Sequence, residues 1–303
     1  MISCSLVLPL SSFLTIPFKD TNKELSTDNH KNSNLFDEMA VLFLGTGAAD
    51  WDEKLYPKDK SDLIAGMHRG LSSILINNSI LVDCGPTVPR ALDMFGVDMN
   101  SITDILITHS HGDHFNVKSI NEIQTKRSNK AKINLWVHEG VSSYFNTLAN
   151  DTGCKVHSIK CFEDFSVNGL DVTSVEANHD RADTGEQCMH YILKAKNETL
   201  FYALDGGWFT TKTWNTLKGV KIDAIVWDTT WGDDNYYCLF SHNNLPMIRM
   251  MMDPFMKEKI FDSNTKVILS HLGRNYHPSH EELKRKAAGE QMIVSHDGME
   301  IVI

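Results

Sequence analysis

The sequence has no CxxC pair, no apolar run of the length that spans a bilayer, and no internal repeat. Basic residues are in the minority, 29 against 39 acidic, for a formal charge of −10. Each absence excludes something. Cys4, Cys84, Cys154, Cys161, Cys188 and Cys238 follow no zinc-ligand spacing. They read as reduced thiols of a cytoplasmic protein, with a secreted, disulfide-bonded chain as the alternative. The short apolar runs predict no membrane-spanning helix. The acidic balance argues against a broad basic face for nucleic acid. It leaves room for a small anionic substrate, because a local site can differ in sign from the whole. At 42% hydrophobic and 22% charged, the chain is not disordered or low-complexity as a whole.

What is present divides into a short leader and a long folded part. Residues 1–18 are apolar but lack a basic start and are interrupted by Pro9 and Pro17. Residues 19–38 are polar and read as disordered or as a linker. The sequence therefore predicts a dispensable extension over 1–38 and a folded domain over 39–303, with a poor signal or lipoprotein-type leader as the alternative. LSSILINNSILVDCG (71–85) reads as a hairpin around Asn77 and Asn78. Helices are expected over 88–96, 116–126, 245–257 and 280–288. Mixed strands and helices of this kind indicate a layered α/β or α+β domain.

Several strands share one form: a short apolar, β-branched run that ends abruptly in histidine or aspartate. The strongest case is TDILITHSHGDHF, which carries His109, His111, Asp113 and His114. Three imidazoles and a carboxylate in six residues form a metal-ligand density that a core rarely needs, suited to zinc, manganese or iron. Gly112 is expected to relieve crowding so that alternate side chains face two adjacent metal positions. His179, Asp205 and His271 repeat the placement at later strand ends, where rigid sheets commonly build sites.

With these residues in hand, the chain resembles the metallo-β-lactamase superfamily. HxHxDH is followed by a single His, Asp and His, and FLGTGAAD (43–50) and LVDCG (81–85) match the superfamily's usual opening. Within it, the chain looks most like the branch of ribonuclease Z and the PhnP-type cyclic phosphodiesterases. The resemblance implies a four-layer αββα sandwich, two mixed β-sheets flanked by helices, with a dinuclear site at one edge. It implies two divalent ions, zinc foremost and manganese or iron as alternatives. One would take His109, His111 and His179, the other Asp113, His114 and His271, with Asp205 bridging. A hydroxide between them would attack a small, cyclic or linear phosphodiester. Asp113 and His242 are the residues expected to serve catalysis, His242 by stabilising charge or protonating the leaving oxygen. A grip on phosphate by Arg69, beside His68, is a candidate of lower rank, behind a solvated loop as the plainer reading of that stretch.

Other polar residues have plainer readings. His277 and His280 suit a turn and helix start capped by Ser279. Turn chemistry accounts for Asp228, Asp233 and Asp234. Met250, Met251 and Met252 read as core or an apolar wall. The stretch 50–70 lacks the cysteines that hold a structural zinc in PhnP-type members, and no tRNA-gripping arm lies between His114 and His179. The sequence thus predicts a metal-dependent hydrolase of a small phosphodiester. The alternatives are a lactone, ester or thioester hydrolase, an RNA-processing enzyme, or a redox or non-hydrolytic metal-binding member. It leaves oligomeric state open, a homodimer included.

Overall fold

Why the runs ending in His or Asp lie together is a matter of sheet order. The computed structural model describes residues 36–303, except 182–184, 234–239 and 291 and the side chains of 142–146. The strands are β1 (Ala40–Gly45), β2 (Ser73–Ile76), β3 (Ile80–Val82), β4 (Asp104–Leu106), β5 (Asn134–His138), β6 (Lys155–Ile159), β7 (Asp164–Val167), β8 (Leu170–Glu176), β9 (Met189–Lys194), β10 (Thr199–Ala203), β11 (Ala224–Asp228), β12 (Lys266–Ser270), β13 (Met292–Val294) and β14 (Glu300–Val302). One 7-stranded sheet has the order β14-β1-β2-β3-β4-β5-β6, the other β13-β12-β11-β10-β9-β8-β7. Each is mixed: pairs from β14 to β3 and from β7 to β10 are antiparallel, and pairs from β3 to β6 and from β10 to β13 are parallel.

The helices are α1 (Val88–Met94), α2 (Val117–Lys126), α3 (Phe145–Thr152), α4 (Thr211–Leu217), α5 (Leu245–Lys257) and α6 (His280–Ala287). Alternation along the strands makes the layers. Val41, Phe43, Ile80 and Val82 of the first sheet meet Leu170, Tyr191, Leu200 and Val226 of the second in the central core. Leu75, Leu81 and Ile105 face outward onto α1 and α2 through Ala91, Leu92, Ile120 and Ile123. Phe201, Ile225 and Leu269 face the other way, onto Leu245, Ile248, Phe255 and Leu283 of α5 and α6. This is the four-layer αββα sandwich that the resemblance implied.

The four expected helices lie within a residue or two of their predicted limits. The hairpin turns through Asn77 and Asn78, both at positive φ (47° and 55°), a conformation asparagine tolerates. Helices α3 and α4 were not anticipated; both are short, and α4 starts only where Thr210 accepts a bond from the Thr213 N–H. Most of the expected extension lies outside the described residues. Its last three residues already join the fold: Phe36 packs on the central core, its N–H donates to Gly169 O at 3.2 Å, and its carbonyl accepts from Lys196 N–H at 3.1 Å. No helix among the described residues is long and apolar enough to cross a membrane.

Candidate active site

Strand direction carries the polar strand ends to one edge. The HSHGDH segment fills the turn between β4 and α2, tightened by bonds from the His114 and Phe115 N–H groups to His111 O at 3.0 and 2.8 Å. Asn116 closes it by capping α2, its side chain accepting from the Ser119 N–H. His179 follows β8, Asp205 follows β10, and His271 follows β12. Asp83, Asp205 and His271 leave their strands at positive φ, 63°, 52° and 56°. Non-glycine residues seldom hold that conformation, and strain of this kind collects at functional sites.

The structure brings together all seven residues expected as ligands, in two groups. His111 Nδ1 lies 2.8 Å from His109 Nε2 and 3.1 Å from His179 Nε2. His114 Nε2 lies 3.2 Å from His271 Nε2 and 3.2 Å from Asp113 Oδ2. Asp205 Oδ2 touches His114 Nε2 and stands 3.3 Å from His271 Nε2 and 3.9 Å from His109 Nε2, so it faces both groups. Within each group the candidate donor atoms lie within 4.8 Å of one another.

These donors fit divalent cations on their own chemistry. The outer nitrogens are already engaged. Asp83 accepts from His114 Nδ1 at 2.8 Å, Ser241 O lies 3.1 Å from His179 Nδ1, and Thr230 Oγ1 lies 2.8 Å from His271 Nδ1. Thr108 Oγ1 gives its proton to Asp83 and so accepts from His109 Nδ1 at 3.0 Å. With Nδ1 of these four rings engaged outside, their Nε2 atoms face inward together with Nδ1 of His111, the arrangement in which outer partners orient metal-binding imidazoles. Asp205 Oδ2 is buried with no hydrogen-bond donor. Burial drives the His109 pKa well down, keeping that ring neutral, the form that ligates. Burial opposes charge on His114 too, but Asp205, Asp113 and Asp83 outweigh it and hold its pKa well up. That surplus of buried carboxylate is what a cation would neutralise.

His242 comes to the same place. Its Nδ1 lies 2.9 Å from Asp228 Oδ2 and 3.3 Å from Asp205 Oδ1, and its ring stacks on His271 with centroids 5.5 Å apart. The helix-start reading of this stretch also holds, since Asn244 caps α5 by accepting from the Met247 N–H. Turn chemistry is too small a role for Asp228. It is fully buried, accepts from the N–H groups of Asp205 and Asn243 at 3.1 and 2.9 Å, and reaches both His242 and His271. Burial alone would raise the Asp228 pKa; the two imidazoles pull it below the usual carboxylate range. The signal was available: AIVWD ends as LVD and LFYALD do. Asp83 was likewise noticed only as part of an opening motif.

Two expectations are corrected. Arg69 is 5% exposed and faces inward, donating to Thr46 Oγ1 at 2.5 Å and Ser295 O at 2.8 Å, so it cannot grip a substrate phosphate. A Cβ at Gly112 would meet nothing within 4 Å, so glycine there keeps the cavity open and relieves no crowding. His277 and His280 stay outside the cage, and α6 begins with Ser279 accepting from the Glu282 N–H as expected.

The cage opens into a cavity of about 380 Å³ lined by His111, Asp113, His179, Asp205, His242 and His271 among others. Of the known proteins it resembles, the anti-Pycsar protein Apyc1 of Paenibacillus xerothermodurans is 32% identical over 192 residues, 55% of this chain. That alignment spans 66% of the relative, just under two thirds of its length. Among solved structures, the metallo-beta-lactamase fold protein YhfI of Bacillus subtilis superposes with a TM-score of 0.66 at 17% identity, covering 88% of this chain and 100% of that one. A diphosphatase of the PhnP family gives 0.64 at 16% identity, covering 87% and 97%. Residues 78–261 match the family described as the beta-lactamase superfamily domain. With the αββα layers and the clustered His and Asp side chains, the match shows that this chain belongs to the beta-lactamase superfamily of metal-dependent hydrolases.

Proposed function

We propose that the chain is a two-metal phosphodiesterase acting on small anionic diesters, cyclic ones included. The observation that carries this reading is His242, held beside Asp205 and His271 by the buried Asp228 carboxylate. His109, His111 and His179 would hold one divalent ion, Asp113, His114 and His271 the other, with Asp205 between; zinc suits this set best. Two such ions supply Lewis acidity and a nucleophile from water at neutral pH. The chain's own residues do the rest. Asp228 accepts a hydrogen bond from His242 Nδ1–H, which fixes the ring and favours its imidazolium form, so that Nε2–H can give its proton to a departing alkoxide and leave the ring neutral. Asp83 holds His114, and Thr230 holds His271, so the cage is rigid before substrate arrives. The cavity is small, which suits a small diester better than a polynucleotide.

The described cysteines Cys84, Cys154, Cys161 and Cys188 are all free, which supports a reducing, cytoplasmic setting. A homodimer is compatible with this reading. Protein purified without chelator should contain about two metal ions per chain and hydrolyse bis-p-nitrophenyl phosphate. One ion or none in folded protein would break the two-metal reading. Turnover of lactones or thioesters but of no phosphodiester would move the assignment to the carboxylic-ester class.

A further inference from the structure

The chain just past His271 is gripped from two sides. Residues 46–51, which follow β1, form one jaw. Leu272 donates its N–H to Thr46 O at 2.9 Å, and its carbonyl accepts from the Ala48 N–H at 3.2 Å and from Trp51 Nε1–H at 2.7 Å. Two residues on, the Arg274 N–H meets both oxygens of the Asp50 carboxylate, 2.8 Å from each. The Arg274 guanidinium carbon lies 5.8 Å from the centre of the Trp51 ring, within cation–π range. Thr230 is the other jaw. Its carbonyl accepts from the Gly273 N–H at 3.3 Å, and a Cβ at Gly273 would fall 2.7 Å from that oxygen.

The first jaw is anchored in the interior. Gly47 N–H donates to Gly70 O at 2.8 Å, and Ser72 N–H donates to Gly47 O at 3.0 Å. Thr46 Oγ1 donates to Asp297 Oδ1 at 2.6 Å and accepts from Arg69 Nη1 at 2.5 Å, and all three residues are buried. A Cβ at Gly47 would fall 2.6 Å from Trp51 Cδ1. Glycine there lets the indole fold back across its own turn and reach Leu272. What the jaws hold is the exit from a strained residue. His271 sits at φ 56°, and a non-glycine residue keeps that conformation where its surroundings over-determine it.

We propose that Trp51, with Asp50, is a positioning residue for His271. By fixing the Leu272–Arg274 backbone, the pair sets where His271 Nε2 points relative to Asp113 and His114. This rests on the two-metal reading above. Both residues act through hydrogen bonds to one short segment. Their loss should therefore be felt at the Asp113–His114–His271 group and not at the His109–His111–His179 group.

The test reads zinc affinity of the full chain by chelator competition, one group at a time, with folding checked by circular dichroism. In a His111→Ala background the Asp113–His114–His271 group binds alone. There Trp51→Phe, which keeps a ring and loses the N–H, should weaken zinc roughly ten-fold, the low end of an outer-shell loss. Asp50→Ala should weaken it too, while Asp50→Asn, whose amide oxygen still accepts the Arg274 N–H, should hold within about two-fold. In a His114→Ala background, Trp51→Phe should leave the other ion within about two-fold. Unchanged affinity at the His271 group, or equal weakening of both ions, would overturn the proposal. Should the unaltered chain bind no zinc, the two-metal reading fails, and amide exchange in the metal-free protein decides the grip separately. The same measurement serves if a double variant does not fold. Leu272 and Arg274 amides that exchange roughly ten-fold faster in Trp51→Phe than in the unaltered chain uphold it, and equal rates sink it.

Discussion

The two sheets follow one plan, three antiparallel pairings and then three parallel ones, yet they furnish the site differently. The first delivers His109, His111, Asp113 and His114 from a single turn after β4. The second delivers His179, Asp205, Asp228 and His271 one at a time, from or after β8, β10, β11 and β12. Consecutive residues in a tight turn are close whatever the rest of the fold does. Residues about 20 to 40 apart meet only because strands of like direction end at one edge. The first half's contribution is therefore local and the second's is topological, and only the second depends on correct sheet assembly.

Breaking the joint between the halves should have the largest effect. Asp205→Ala removes a side chain that faces both donor groups. We expect hydrolysis to fall by more than the roughly 10- to 100-fold typical of an outer-shell loss, with metal content below two per chain by atomic absorption and the fold intact by circular dichroism. His111→Ala tests the local half and should lower metal content at the His109–His179 group first.

Next comes His242→Ala, expected to cut turnover about 100-fold or more while both metals stay bound. Retained turnover would reduce His242 to a structural residue. The supporting carboxylates then sharpen the contrast. Asp83→Asn, in the first half, touches one ligand, His114, whereas Asp228→Asn touches His271 and His242 together. Each should cost about 10- to 100-fold in kcat/KM, with Asp228→Asn the larger. The reverse order would show that the local turn, and not the second sheet, limits the rigidity of the cage.

Away from the cage, two groups titrate in opposite senses across one window. Burial, with help from the Arg69 charge, holds the His277 pKa down to about 4. Its contribution to stability is present above its unfolded value of about 6.5 and lost as pH falls through 4. Burial holds Asp297 up to about 6. Its contribution is fully present below its unfolded value of about 3.9 and lost as pH rises through 6. Between pH 7 and 4, His277→Gln should flatten the acid loss of thermal stability and Asp297→Asn should steepen it, each by about 1–3 kcal/mol. Matching curves for all three proteins would show that neither group is isolated from water. The smallest effect is Phe36→Ala, expected to lower stability by about 1–2 kcal/mol without touching activity, measured by denaturant midpoint.

Much of this was legible in the sequence. The helices at 88, 117, 245 and 280 were legible to within a residue or two, and the HSHGDH turn by its ligand density. Asp228 and Asp83 were not read as functional, because a lone carboxylate at a strand end looks like turn chemistry until its partners are known. The place of Arg69, neither in a solvated loop nor on a phosphate, was hidden for the mirror reason: its burial against Thr46 and Ser295 depends on residues far away in the chain.

By itself, then, the sequence determined the element types, the ligand-bearing turn and the kind of chemistry its donors favour, all of which rest on neighbours within a few residues. Tertiary structure alone decided which separate strand ends share one edge and which carboxylate holds which imidazole. Those are contacts between distant segments, fixed by strand order and direction when the two sheets pack.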